Sequence, residues 1–124
     1  MEINFTDNPK PEDFRQEFSL FNNQFHLIAE FNNFGRMSHQ VNGFEITELS
    51  TGKKLMDFIY CEFDLTKFVE KEDVLEIHFR IYPDGSKTHQ SVINLFKEKF
   101  YHENQEFELS EFRAYYKELL DSSF

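Results

Sequence analysis

Apolar and polar residues alternate strictly along Leu75-Glu76-Ile77-His78-Phe79-Arg80-Ile81-Tyr82, so that Leu75, Ile77, Phe79 and Ile81 share one face. A period of two marks a strand buried on one side. Pro83-Asp84-Gly85-Ser86 follows as a reverse turn, because proline presets φ and Asp-Gly closes the loop. Lys87 to Phe96 is therefore predicted to return antiparallel. Pairing Tyr82 with Lys87 sets Arg80 opposite His89 and His78 opposite Ser91, all on the exposed face.

The same alternation recurs at Phe25, Leu27, Ala29 and Phe31, which predicts a strand broken at Asn32-Asn33-Phe34-Gly35-Arg36. Phe44 to Leu49 and Leu55 to Phe63 form a predicted hairpin across Ser50-Thr51-Gly52-Lys53, where glycine supplies positive φ. The second arm is apolar on both faces, as in a central strand or one under a helix. Two segments have helical spacing instead. Asn8-Pro9-Lys10-Pro11, followed by Glu12 and Asp13, is a helix-entry signal, and Phe14, Phe18 and Phe21 at i, i+4 and i+7 predict a helix over 11–22. Ser110 as N-cap, with Phe112, Tyr115, Tyr116, Leu119 and Leu120 behind it, predicts another over 110–121.

The resulting plan is α+β: a single domain over residues 1–124, with an antiparallel β-sheet of about five strands and an N-terminal and a C-terminal helix packed on it. Phe14, Phe18, Phe58, Ile77, Phe79, Phe112 and Tyr116 are its expected core. Composition agrees with one folded unit. Seventeen of the 124 residues are phenylalanine, none is tryptophan, and 40% are hydrophobic, which excludes a disordered chain.

The formal charge of −10 is shared evenly between the two halves of the chain. An acidic surface disfavours direct binding of nucleic acid or of an anionic membrane and favours a basic protein partner, although the same charge also serves solubility. The first residues carry no basic and apolar leader, and no apolar run reaches the roughly 18 residues that span a bilayer, so a cytoplasmic protein is expected. Cys61, the single cysteine, stands in the apolar run Phe58-Ile59-Tyr60-Cys61 and is expected to be a buried thiol.

The spacing of reactive residues predicts no catalytic residue, no metal site and no cofactor. The five histidines include no H-x-H, H-x-x-x-H or H-E-x-x-H. Thr51-Gly52-Lys53 lacks the earlier glycine of a phosphate loop, and Ser86 sits in a hairpin turn, not in a nucleophile elbow. Two acidic stretches remain as candidate partner contacts. One holds Asp64, Glu70, Glu72 and Asp73, read as a solvated loop with no calcium-loop spacing. The sharper is the base-free run from Glu103 to Glu111, whose Glu103, Glu106, Glu108 and Glu111 lie just before and at the start of the C-terminal helix, where acids suit the dipole.

In size, acidity, α+β plan and lack of catalytic motifs, the chain resembles the small immunity proteins that neutralise bacterial contact-dependent inhibition toxins and related polymorphic toxins. The resemblance is one of type and carries no residue-by-residue roles. It implies a cytoplasmic inhibitor, not an enzyme, that binds one cognate toxin domain, often a nuclease with a basic cleft, by charge complementarity and steric blockade. Such blockade needs only a preorganised surface of about 800 Å² per partner. The alternative is a small-ligand-binding or enzymatic α+β domain with an aromatic-lined pocket and His78, Arg80 and His89 as its polar groups. A third reading is an acidic mimic of nucleic acid.

Overall fold

Ten strands precede one terminal helix in the computed structural model, which describes residues 1–5, 15–34, 39–82 and 84–122. The strands are β1 (Glu2–Asn4), β2 (Arg15–Leu20), β3 (Phe25–Phe34), β4 (His39–Glu48), β5 (Lys54–Phe58), β6 (Phe63–Glu70), β7 (Leu75–Ile81), β8 (Asp84–Asn94), β9 (Lys99–His102) and β10 (Gln105–Glu108). A short 3-10 turn, Leu109–Glu111, leads into helix α1 (Phe112–Ser122). Two antiparallel sheets result, one in the order β1-β6-β7-β8-β9-β10 and one in the order β2-β3-β4-β5. The described fold is thus mostly antiparallel β with a single C-terminal helix, in place of about five strands between two helices.

The helix predicted over 11–22 is corrected by β2. Residues 11–14, with Phe14, lie outside the described residues, but Arg15 to Leu20 pair one for one with β3 from Glu30 to Phe25. Gln16, Phe18 and Leu20 also fit a period of two, and pairing with the edge of β3 decides between the two periods. Phe18 is half-buried there, edge-on to Phe68 with ring centroids 5.2 Å apart.

The predicted strand from Leu55 to Phe63 is two strands in different sheets. β5 ends at Phe58, the chain turns through Tyr60 at φ 55°, and Phe63 begins β6. Apolar residues on both faces mark this passage between sheets. Gly43 makes it possible: a Cβ there would lie 2.8 Å from the Ile59 Cα and 2.8 Å from the Phe58 carbonyl oxygen. β6 in turn replaces the solvated loop expected from Asp64 onward, because a bulge between Leu65 and Lys67 shifts its alternation and hides the strand pattern.

The strand at Leu75–Ile81 and the turn at Gly52, with φ 75°, follow the sequence reading. The β7–β8 register does not. Phe79 pairs with His89, His78 with Gln90 and Ile77 with Ser91, one residue away from the predicted pairing, with an irregularity between Phe79 and Ile81. A one-residue slip moves every side chain of β8 to the other face. His89 is therefore buried, stacked on Phe79 at 5.5 Å and packed on Tyr116, and does not share a face with His78 and Arg80.

One hydrophobic core joins both sheets. Leu27, Phe44 and Ile46 enter it from the four-stranded sheet, and Leu65, Phe68, Ile77 and Phe79 from the six-stranded one. Helix α1 closes one side with Phe112 and Tyr116, whose rings lie 5.0–5.8 Å from those of Phe79 and Phe100 and 4.8 Å from each other. Each fully buried ring contributes roughly 1.5–3 kcal/mol. Ser110 lies inside the 3-10 turn, so the predicted N-cap gives way to a tighter entry.

Candidate interaction surface

β6 carries an acid near each end, and both carboxylates turn to the other sheet. The last β4–β5 pair is Phe44 with Phe58, so beyond it the Asn42 N–H has no β5 residue opposite. Asp64 takes that place: its Oδ1 accepts from the Asn42 amide at 2.8 Å while Oδ2 accepts from Arg80 at 2.8 Å. At the far end Glu70 Oε2 accepts from the amide of Phe21 at 2.6 Å, in a turn where Phe21, Asn22 and Asn23 all have positive φ. Asp64, 8% exposed, and half-buried Glu70 are intersheet clasps and leave the contact set. Glu72 and Asp73 remain exposed at the β6–β7 turn.

Sequence reasoning missed a third internal acid. Glu62 is buried, receives two hydrogen bonds from Arg113 at 2.6 and 2.9 Å, and accepts from the Cys61 thiol at 3.1 Å. Burial pushes this carboxyl up, but the Arg113 and Cys61 hydrogen bonds outweigh it and hold the group down at about 2. The pair ties α1 to the β5–β6 passage. Burial and then the Glu62 carboxylate raise the Cys61 thiol, which suits an inert structural cysteine. No signal marks Glu62 in the sequence, because its partner lies 51 residues away.

The second acidic run forms a hairpin arm, not the entry to a helix. Glu103 sits in the β9–β10 turn at φ 50°, Glu106 and Glu108 lie on β10, and Glu111 ends the 3-10 turn. All four are exposed. Glu106 accepts from the Tyr101 hydroxyl at 2.9 Å, and Glu108 pairs with Lys99. Glu103 and Glu111 have no ion pair among the described residues.

Strand register brings residues from the whole chain into one row on the face turned away from the core. Glu2 pairs with Val69, Val69 with Glu76, Glu76 with Val92, Val92 with Tyr101, and Tyr101 with Glu106. Directly opposed residues in an antiparallel sheet share a face. Half-buried Val69, Val92 and Tyr101 lie within this row, with exposed Glu2 and Glu106 at its ends. Glu76 is held below its ordinary range by Lys71 at 2.6 Å and by His78 at 2.9 Å. The Tyr101 hydroxyl is raised chiefly by its bond to Glu106, with a smaller push from the charge of Asp73. Asp73 and Glu106, from the two separate acidic stretches, thus act on one phenol.

Other sites give less. The Tyr116 hydroxyl is buried and pushed up to about 12, mainly by burial, with Ser91 working in the opposite direction. Among the described residues no group of three or more His, Cys, Asp or Glu stands close enough to hold a metal ion, and no helix is long and apolar enough to cross a membrane. Comparison with family models, with curated proteins and with solved structures returns no match.

Proposed function

We propose that this chain is a protein-binding inhibitor of the immunity type, which neutralises a cognate toxin domain, a nuclease, by occluding its active site or basic substrate surface in the cytoplasm without catalysis. The observation that carries the reading is the cross-strand row from Glu2 to Glu106. It gathers Val69, Val92 and Tyr101 with the acids Glu2, Glu76 and Glu106 on a single face, and it draws together stretches more than thirty positions apart. That arrangement resembles a protein interface in placing apolar Val69, Val92 and Tyr101 between acidic ends, while the Glu76 that stands among them is already bonded to Lys71 and His78. Tyr101 is the natural anchor, since tyrosine is enriched where binding energy concentrates. The contact set is accordingly Tyr101, Val92, Glu103, Glu106, Glu108 and Glu111, joined by Glu72 and Asp73 from the β6–β7 turn.

Affinity capture from the native host, using the full chain as bait, tests the reading. Stoichiometric recovery of one basic, nuclease-like fragment that Tyr101→Ala fails to retain supports it. Recovery of a metabolite or of no protein at all overturns it, as does a captured partner indifferent to every change on this face.

A further inference from the structure

β8 and β9 pair only through Val92, Ile93 and Asn94, opposite Tyr101, Phe100 and Lys99. Beyond Val92 and Tyr101 the two strands part, and β9 turns back through Glu103 and Asn104 into β10. A cleft of about 630 Å³ opens in this fork, between residues 90–92 and 101–104. Its walls are fixed from within the fold. Ser91, 1% exposed, donates from Oγ to the Tyr101 carbonyl at 3.3 Å and stitches the fork where it begins. His102 Nδ1 lies 2.6 Å from the Tyr115 hydroxyl, which ties the β9 wall to α1.

The described lining residues include one carboxylate, that of Glu103, and neither lysine nor arginine. Glu103 is exposed and has no ion pair among the described residues. Its charge reaches the wall behind it, where it raises the Tyr115 hydroxyl after the larger effect of burial. Asp73 and Glu106 add their charges at Tyr101, and Lys99, the base that opposes them there, is already paired with Glu108. The fork therefore favours a cation. Its other surfaces suit one kind: Val92 is half-buried and aliphatic, Tyr101 is aromatic, and exposed Gln90 and Asn104 carry amide oxygens that accept. An ammonium is a strongly hydrated point, whereas a guanidinium is planar, stacks on an aromatic face and spreads five donors over carboxylate and amide acceptors. Its apolar stem can lie along a hydrocarbon wall.

We infer that this fork is the seat of an arginine side chain of the protein partner, with its guanidinium paired to Glu103 against the Tyr101 ring and its stem along Val92. Charge chooses the source: a second copy of the chain brings another −10, whereas a basic partner is drawn in. The fork adjoins the proposed contact face through Val92 and Tyr101, so the inference deepens the partner-binding reading and rests on it for the origin of the arginine.

The test titrates the full chain with N-acetyl-arginine methylamide at constant ionic strength, followed by backbone and side-chain-amide NMR. N-acetyl-citrulline methylamide, of the same length but uncharged, and N-acetyl-lysine methylamide are titrated beside it. Saturable shifts at Gln90, Tyr101, Glu103 and Asn104 are expected. Binding should be weaker by roughly threefold or more for the citrulline and lysine probes, and by a similar factor for the arginine probe on Glu103→Gln but not on the control Glu17→Gln. Shifts that never saturate, equal binding of the citrulline or the lysine probe, or unchanged binding to Glu103→Gln each overturns the seat. A captured partner that Glu103→Gln holds at parental affinity, in a complex that leaves the Gln90 and Asn104 side-chain amides unshifted, sinks the seat and spares the inhibitor reading. A chain that binds the arginine probe as expected but captures no protein keeps the fork as an arginine site and overturns the inhibitor reading, and with it the partner as the source of the arginine.

Discussion

The carboxylate of Asp64 lies 2.8 Å from the backbone nitrogen of Asn42, and by that contact an acid of one sheet completes the hydrogen bonding of a strand in the other. Removing it leaves a buried amide and the Arg80 guanidinium without their acceptor. Asp64→Ala should therefore cost roughly 2–4 kcal/mol in urea denaturation, and Asp64→Asn less, because the amide oxygen still accepts. A loss under 0.5 kcal/mol for the alanine variant would show that the clasp contributes nothing.

Stability should fall in acid through Glu62. Its folded value, about 2, lies below the ordinary 4.5, so the unfolded chain binds the proton first. The contribution, roughly 2–3 kcal/mol, is complete above about pH 4.5 and is lost as the pH falls toward 2. Glu76, also held low, acts in the same direction. Unfolding free energies of Glu62→Gln measured from pH 7 to pH 2 should vary less than those of the parent; parallel curves would place the acid sensitivity elsewhere.

The two described glycines with structural roles separate sharply. At Gly43 a methyl group meets three backbone atoms within 2.9 Å, so Gly43→Ala should cost roughly 3 kcal/mol or more. At Gly52 nothing lies within 4 Å and only the φ of +75° resists, so Gly52→Ala should cost about 1 kcal/mol. Thermal midpoints rank the two variants directly.

Reversing Glu106, Glu108 and Glu111 to lysine should slow association with a basic partner and flatten its salt dependence, since rim charges act chiefly on encounter. Glu17→Lys, on exposed β2 of the other sheet, is the matched control and should change the rate far less. Stopped-flow association at two salt concentrations decides. Equal rates for the triple reversal and the parent would remove β10 from the interface.

What the chain disclosed in advance depended on how local each feature was. β7 was legible because its alternation is unbroken, and α1 because Phe112 and Tyr116 repeat at i, i+4 ahead of any tertiary influence. β6 was not, because the bulge at Thr66 breaks its period and its acids look solvated until Asn42 and Phe21 are seen beside them. β2 was misread because Phe14, Phe18 and Phe21 fit a helix as well as Gln16, Phe18 and Leu20 fit a strand. The face of His89 turned on one residue of register, which no composition encodes. On the candidate surface, the exposure of Glu103, Glu106, Glu108 and Glu111 matched their reading as accessible acids. That Glu106 and Asp73 both act on Tyr101 could be seen only once the strands were paired.

β1 is held in its sheet by pairing Glu2 with Val69, whereas β2 to β5 are joined in sequence by hairpins. Short loops close early and long ones late, so the four-stranded sheet can assemble while β1 still waits for β6 to exist. On a ribosome the consequence is one of timing: β1 is made well before the strand it pairs with, and the growing chain must carry Ile3 and Phe5 uncovered until β6 has been synthesised.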